Sequence, residues 1–438
     1  MIFDAATRAR LLGSIEANSL VLLCGAGLSM PPPSNLMSAS RVAQLCYDRY
    51  EPTLALPAPM RDKIDELAGY FYQTGKFESL FIGRLVPWND LAGQPNAGHA
   101  AVADFLITKA AACVLSANFD TLIENWASGK KIAMRGALDG HEATNFASDM
   151  SPLIKFHGCM MRGREQTVWT QGQMTEAAIA KRIDTCSKWM ELNLPGKDLL
   201  VVGFWTDWGY LNDVIAKALE VHGFGSVTIV DPQEPAELKA KAPQLWANLS
   251  GDTAHFSHVQ KSGADALAEL RVSYSKVWLK KFYQLGRPML EQEGKNYTPI
   301  DPDMSCDDLY AARCDAEGRP SNSAALTKEP RHEAAYAAFF HHLLVQASAN
   351  REGSWYEYGG MRIRVIQAAG EALNTVRERH TEPPASVQPD VVVCAGAVNI
   401  AIHGRIVGSG AGRSIVRPAG GGTARWLTLE QARGELGL

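Results

Sequence analysis

Short runs of leucine and β-branched residues recur between Leu20 and Val259, with helical patterns filling the intervals. Strands read at LVLLC (20–24), ACVLS (112–116), PLIKF (152–156), DLLVVGF (198–204), SVTIVD (226–231) and HFSHV (255–259). Helices read over 35–50, 60–75, 97–110, 121–127, 173–192, 209–221 and 262–285, and an amphipathic helix at the N-terminus. Most of these strands are apolar along their whole length, so both faces must be covered. Strands alternating with helices then imply an α/β fold, Rossmann-like, with a mostly parallel sheet and helices on both faces.

The character changes after 285. Residues 286–330 are polar and punctuated by Pro and Gly, which reads as linker and irregular structure. Helical patterns follow at 331–349 and near 360–380, and HTEPPASVQPD breaks the chain again. The end reads as strand, hairpin and glycine-rich loop, closed by a short capped helix from Thr428. The expected division is therefore 1–285 and a smaller α+β module over 286–438. The GSGAGR run at 408–413 lacks a following Lys-Ser/Thr and reads as a glycine loop, not a phosphate site. Cys306, Cys314, His341 and His342 read as ordinary linker and helix residues.

Balance of charge narrows the function classes. The formal net charge is −4 over 438 residues, so no global field points to nucleic acid or an anionic membrane. No apolar run reaches the roughly 20 residues that span a bilayer. The eight cysteines include no C-x-x-C pair, which argues against a disulfide framework and a cysteine zinc site. The expectation is a reduced, cytoplasmic protein without a metal.

Ligands of open parallel sheets bind outside the carboxyl ends of the strands. Gly25-Ala26-Gly27-Leu28-Ser29 follows the first strand, and Ala117-Asn118-Phe119-Asp120 follows the second. His157-Gly158 follows the third, Trp205-Thr206-Asp207 the fourth, and Asp231-Pro232 closes the fifth. Glycines let backbone N–H groups approach a pyrophosphate. Here, though, the prolines at 31–33 forbid a helix directly after the turn, and the following region is helical where a ribose-binding acid would close a second strand. Asp120 can serve as a helix N-cap and His157 as a satisfied edge histidine. An Asn, an Asp and a His on neighbouring strand ends also make a cleft for chemistry at a ribose. These positions lie outside the apolar runs, so the side chains are expected to face solvent.

These motifs resemble the sirtuin family. GAGLS resembles its first phosphate-binding turn, with the prolines in a cofactor-covering loop. PNAGHAAVADF (95–105) resembles its Pro-Asn-x-x-His helix, SANFDTLIE its Thr-Gln-Asn-Ile-Asp segment, and IKFHGC its His-Gly. Order and spacing match over roughly residues 15–275. The four zinc cysteines of the protein deacylases are absent, as is the Gly-Ile-Pro-Asp-Phe-Arg piece. The chain looks more like the bacterial sirtuin-like effectors of antiviral defence that hydrolyse NAD.

That resemblance implies NAD as substrate, with Asn118 positioning ribose and water, Asp120 holding the nicotinamide amide, and His157 bonding the ribose hydroxyls or acting as base. It implies Gly25, Ala26, Gly27 and Ser29 at the pyrophosphate, and Gly203, Thr206 and Asp231 at the adenosine half. It also implies a homo-oligomer or a defence partner: a HerA-type ATPase, a short Argonaute or a producer of a nucleotide signal. A protein deacylase and a non-catalytic NAD or ADP-ribose sensor are the alternatives.

Overall fold

A computed structural model of the protein describes residues 2–50, 56–145, 149–251, 255–322, 326–380, 388–398 and 424–438. The chain divides into two compact units, Met1–Gly129 with Ala133–Arg271, and Lys130–Ile132 with Val272–Leu438. The division falls inside the helix Gly263–Gln284, upstream of the polar stretch that begins at 286.

The first unit is built on six parallel strands: β1 (Leu20–Cys24), β2 (Cys113–Ser116), β3 (Leu153–Lys155), β4 (Asp198–Val202), β5 (Ser226–Val230) and β6 (Phe256–Val259). Their order is β3-β2-β1-β4-β5-β6, with helices around the sheet. Every residue of β1 is buried, as a central parallel strand requires. Cys24 is in register with Ser116 on one side and Val202 on the other, Ser116 with Lys155, and Val202 with Val230. The strands therefore end in one row, and Gly25, Ala117, Phe156, Gly203 and Asp231 leave the sheet along the same edge. The order reverses between β1 and β4, which opens a crevice at that point.

Between β1 and β2 the chain forms a helical layer with its own apolar core. Helices Ala39–Tyr50 and Ile64–Gln73 and the wide turns Phe77–Leu85 pack Val42, Phe71, Phe77 and Phe81 together with Trp88 and Trp169. No element is read from the sequence over residues 77–85, where these wide turns lie.

The second unit carries β7 (Asn350–Glu352), β8 (Trp355–Tyr358), β9 (Met361–Gln367), β10 (Val391–Ala395) and β11 (Arg425–Thr428), in the order β11-β10-β9-β8-β7. The last three are mutually parallel and the first three antiparallel. Two expectations are corrected. Residues 361–367 form a strand, not a helix, because Met361, Ile363 and Val365 recur at period two. The polar stretch after 286 holds the helices Arg287–Gln292 and Cys306–Ala316. The second of these is largely buried from Leu309 to Ala316 because its charges find partners. Asp315 accepts from Arg364 at 2.7 and 2.9 Å, and Arg313 donates to Ser275 at 3.0 Å. His341 meets the Tyr356 hydroxyl at 2.9 Å and His342 the Tyr283 carbonyl at 2.9 Å, so both are core histidines. The helix Leu429–Leu436 is capped by Thr428, as its residues indicate. The GSGAGR run lies outside the described residues.

Candidate functional site

The glycine turn owes its composition to a close approach of two loops. A Cβ on Gly25 would stand 2.6 Å from the Gly203 carbonyl oxygen, and one on Gly27 would stand 2.7 Å from the Gly203 Cα. Gly203 itself has φ +60 and faces Gly27 equally closely. The loops after β1 and β4 thus interlock at the crevice. Gly25 N–H donates to Val202 O at 3.0 Å and Gly27 N–H to Gly203 O at 3.0 Å. Leu28 N–H donates to Gly25 O and Ser29 N–H to Ala26 O, so the N–H of Ala26 is the one in this run that none of these bonds uses.

Ser29 gathers the site. Its hydroxyl donates to Asp120 Oδ2 at 2.9 Å and accepts from Asn118 Nδ2 at 3.2 Å, and it lies 3.0 Å from His99 Nε2. Nδ1 of His99 accepts the Asn96 N–H at 3.2 Å, which leaves the ring proton on Nε2, pointing at Ser29. Burial holds His99 down at about 4, against a smaller opposing pull from Asp120, so the ring is neutral. The order of donation is therefore His99 to Ser29 to Asp120. Asn118 also donates to Gly25 O at 3.1 Å, and Asp120 Oδ1 accepts Leu122 N–H at 3.1 Å at the start of helix Leu122–Gly129. Asp120 is both a cap and a member of the site.

His99 and Asn96 belong to the helix Ala97–Ile107 and its cap. Asn96 accepts the N–H groups of Gly98 and His99, while its own amide donates to Leu28 O at 2.8 Å. One residue therefore ties the helix start to the glycine loop. Ser34 reaches Gln94 O at 2.7 Å and Leu36 N–H reaches Ser29 O at 3.0 Å, fastening the proline segment over the same place. The PNAGH run stands out in the sequence, yet His99 is not among the site residues expected from it. The signal was the capping pattern, which fixes where that ring must point.

His157 follows β3. It is not solvent-facing as expected, but only 4% exposed, with Trp208 at 4.5 Å and Tyr210 at 6.1 Å between ring centroids. Burial, and next the charge of Arg182, push it down to about 3. The turn that carries it is tied to the Asn118–Asp120 loop: Met160 N–H donates to Phe119 O at 2.9 Å, and the buried Lys155 ammonium donates to Asp120 O. Lys155 also donates to Glu124 Oε1 at 3.1 Å and lies 3.7 Å from Cys159 Sγ. Composition gave no hint of this lysine, since a charged residue inside a parallel strand is unexpected.

The fold thus brings Gly25, Ala26, Gly27, Ser29, Asn118, Asp120 and Gly203 to one crevice, with His157 on the adjoining strand end. Thr206 is exposed, between Trp205, whose indole donates to Leu238 O, and Asp207, which accepts Leu245 N–H at 2.8 Å at the head of helix Pro243–Ser250. Asp231 shapes the turn after β5 by accepting Gln233 N–H at 2.9 Å. Neither makes a hydrogen bond with the glycine loop. Among the described residues no group of three or more His, Cys, Asp or Glu is placed to hold a metal ion, and no helix is long and apolar enough to cross a membrane.

No protein-family model matches the chain, and no curated protein matches it. Among solved structures the chain is similar to a Sir2 homologue in complex with NAD, at 18% identity over 60% of this chain and 91% of that one, with a TM-score of 0.34. It is also similar to a mutant Sir2 homologue in complex with ADP-ribose, at 18% identity over 61% and 95%, with a TM-score of 0.33. A Sir2 complex with the inhibitor EX-527, 2′-O-acetyl-ADP-ribose and a deacetylated p53 peptide matches at 13% identity over 66% and 100%, with a TM-score of 0.30.

Proposed function

We propose that the first unit cleaves the nicotinamide–ribose bond of NAD with water, giving nicotinamide, ADP-ribose and a proton. The observation that carries this is the Ser29 hydroxyl holding Asn118 and Asp120 together at the β1/β4 crevice, one strand from His157. The motifs that resemble sirtuins are the ones that converge there.

The leaving group departs neutral from a cationic ring, so the step needs no general acid. It needs charge stabilisation for an oxocarbenium-like ribose, and that is the work of a held carboxylate. Asp120 is such a carboxylate, oriented by Ser29 and the Leu122 N–H. Asn118 keeps its side-chain oxygen for the ribose or the attacking water while its amide donates to Ser29 and Gly25 O. His157, neutral at physiological pH, offers a ring nitrogen to a ribose hydroxyl rather than a stored proton. Ala26 N–H is the backbone donor for the pyrophosphate.

The absence of the deacylase cysteines favours hydrolysis over acyl transfer, and an NAD-depleting role in antiviral defence follows from the same resemblance. The test is to follow NAD, nicotinamide and ADP-ribose with the purified full-length protein, alone, with an acetylated peptide, and with candidate defence partners. Release of nicotinamide and ADP-ribose without peptide supports the reading. Turnover only with peptide, yielding O-acetyl-ADP-ribose, would replace it with deacylation.

A further inference from the structure

Beside His157 lies a corner in which several buried polar atoms have no hydrogen-bond partner among the described residues. Arg182, on the helix Ala177–Asn193, is only 8% exposed, and its Nε and Nη2 are buried without a hydrogen bond among the described residues. The Tyr210 hydroxyl and His157 Nε2 are in the same condition. Tyr210 sits in the first turn of helix Gly209–Val221, which packs on the helix of Arg182, and its ring is 6.1 Å from that of His157. Trp208 covers the imidazole at 4.5 Å, and Phe156 meets Tyr210 edge-on at 6.4 Å.

A buried guanidinium ordinarily has a carboxylate. Here Asp139 acts on Arg182 through its charge, yet the guanidinium Nε and Nη2 bond to no carboxylate among the described residues. Asp139 accepts the Glu142 N–H at 2.8 Å as a helix cap, and Glu142 holds Arg162 through bonds of 2.5 and 3.0 Å. The other titratable groups of the corner stay neutral: burial pushes the Cys186 thiol up to about 12 and the Tyr210 phenol well above its usual value. The positive charge of Arg182 is felt at both His157 and Tyr210. The corner therefore holds a cation, a hydroxyl donor and an imidazole, walled by aromatic rings.

We propose that this corner is an oxyanion subsite, in which Arg182 and Tyr210 grip a compact carboxylate or phosphate group beside His157. A planar guanidinium fork with an adjacent hydroxyl matches either oxyanion. The bound anion places negative charge next to the imidazole and favours its protonated form. Its consequence for catalysis rests on the NAD-cleavage reading: with the subsite filled, His157 takes the proton of the attacking water as the oxygen–C1 bond forms and nicotinamide leaves. Binding itself does not depend on that reading.

The experiment is calorimetric titration of the full-length protein, without NAD, with inorganic phosphate and separately with acetate, at constant ionic strength set by chloride. Wild type, Arg182→Met and Tyr210→Phe are compared, with NAD turnover measured in the same buffers. Saturable binding of phosphate or acetate, weakened at least tenfold in Arg182→Met and severalfold in Tyr210→Phe, is the expected result. Phosphate alone binding assigns a phosphoryl group, acetate alone a carboxylate. No saturable binding of either anion, or equal affinity in Arg182→Met, overturns the subsite. Should Arg182→Met fail to fold, Tyr210→Phe decides, since it removes one oxygen, and unchanged affinity there overturns the subsite too. Anion binding without NAD turnover, even with the candidate defence partners added, keeps the subsite and removes the hydrolase reading. NAD turnover without anion binding does the reverse.

Discussion

Ser29 and His99, seventy positions apart in sequence, meet at 3.0 Å with the imidazole proton directed at the serine oxygen. Ser29 must then give its own proton to Asp120, so the carboxylate's orientation depends on a histidine that does not touch it. Ser29→Ala and His99→Ala are expected to reduce NAD turnover by about tenfold to a hundredfold each. Because both act through one chain of hydrogen bonds, the double variant should lose little more than the worse single one. Additive losses in a double-mutant cycle on kcat would show that the two residues act independently.

Asn118→Ala and His157→Ala are expected to lower turnover by at least roughly a hundredfold. Their stability costs differ. Asn118 is partly exposed, and losing its side chain should cost about 1 kcal/mol. His157 is packed under Trp208, so its truncation leaves a cavity and costs about 2–4 kcal/mol. Rates must be compared well below both melting temperatures, and full activity in either variant removes that residue from the mechanism.

Much of this was legible in the residues because strands such as LVLLC and DLLVV are apolar nearly throughout, and parallel topology then dictates where their ends lie. Ser29, Asn118 and Asp120 followed from position at those ends. What was hidden depends on partners far away in sequence. Lys155 is buried because Glu124 and the Asp120 carbonyl receive it, and Arg364 makes Asp315 an interior residue. His157 read as exposed because nothing local announces that Trp208 folds back over it. Periodicity reports the face of an element, not the neighbour that covers it.

Acid should destabilise the first unit through its two buried histidines. Folding holds His99 at about 4 and His157 at about 3, both below the ordinary value near 6.5. Between those values and 6.5 the unfolded chain binds more protons than the folded one, so stability falls as pH drops through that window. Each histidine contributes at most about 1.4 kcal/mol per pH unit there. Urea midpoints measured from pH 7.5 to 4.5 should decline, and His99→Gln should flatten the slope. An unchanged slope would mean that His99 is not held neutral.

Lys155→Met should destabilise the protein by about 3–5 kcal/mol, because it strands the mostly buried Glu124 carboxylate without its cation. It also releases the Asp120 carbonyl, so the turnover of the surviving folded protein should drop as well. Pairing it with Glu124→Leu should restore much of the stability and little of the activity. Recovery of both together would make Lys155 a purely structural residue.

Residues 286–438 are expected to control the first unit without sharing its chemistry. An unregulated NAD hydrolase would empty the cell that makes it, so a resting form must keep substrate out or misplace Asp120 and Asn118. The second unit has its own mixed sheet and its own buried contacts, and its adjacent His341 and His342 are occupied by the Tyr356 hydroxyl and the Tyr283 carbonyl. It thus offers a body for a partner or signal to act on, with those imidazoles already engaged. Moving a resting population from about 1% to 99% competent requires a preference of roughly 5.5 kcal/mol, which a protein interface of ordinary size supplies. The measurement is NAD turnover and oligomeric state for the full chain and for residues 1–285, each with and without candidate partners. The expected outcome is a shorter chain whose turnover no longer responds to any partner and whose assembly differs. A shorter chain that stays soluble and is regulated as the whole protein is would place control within the catalytic unit itself.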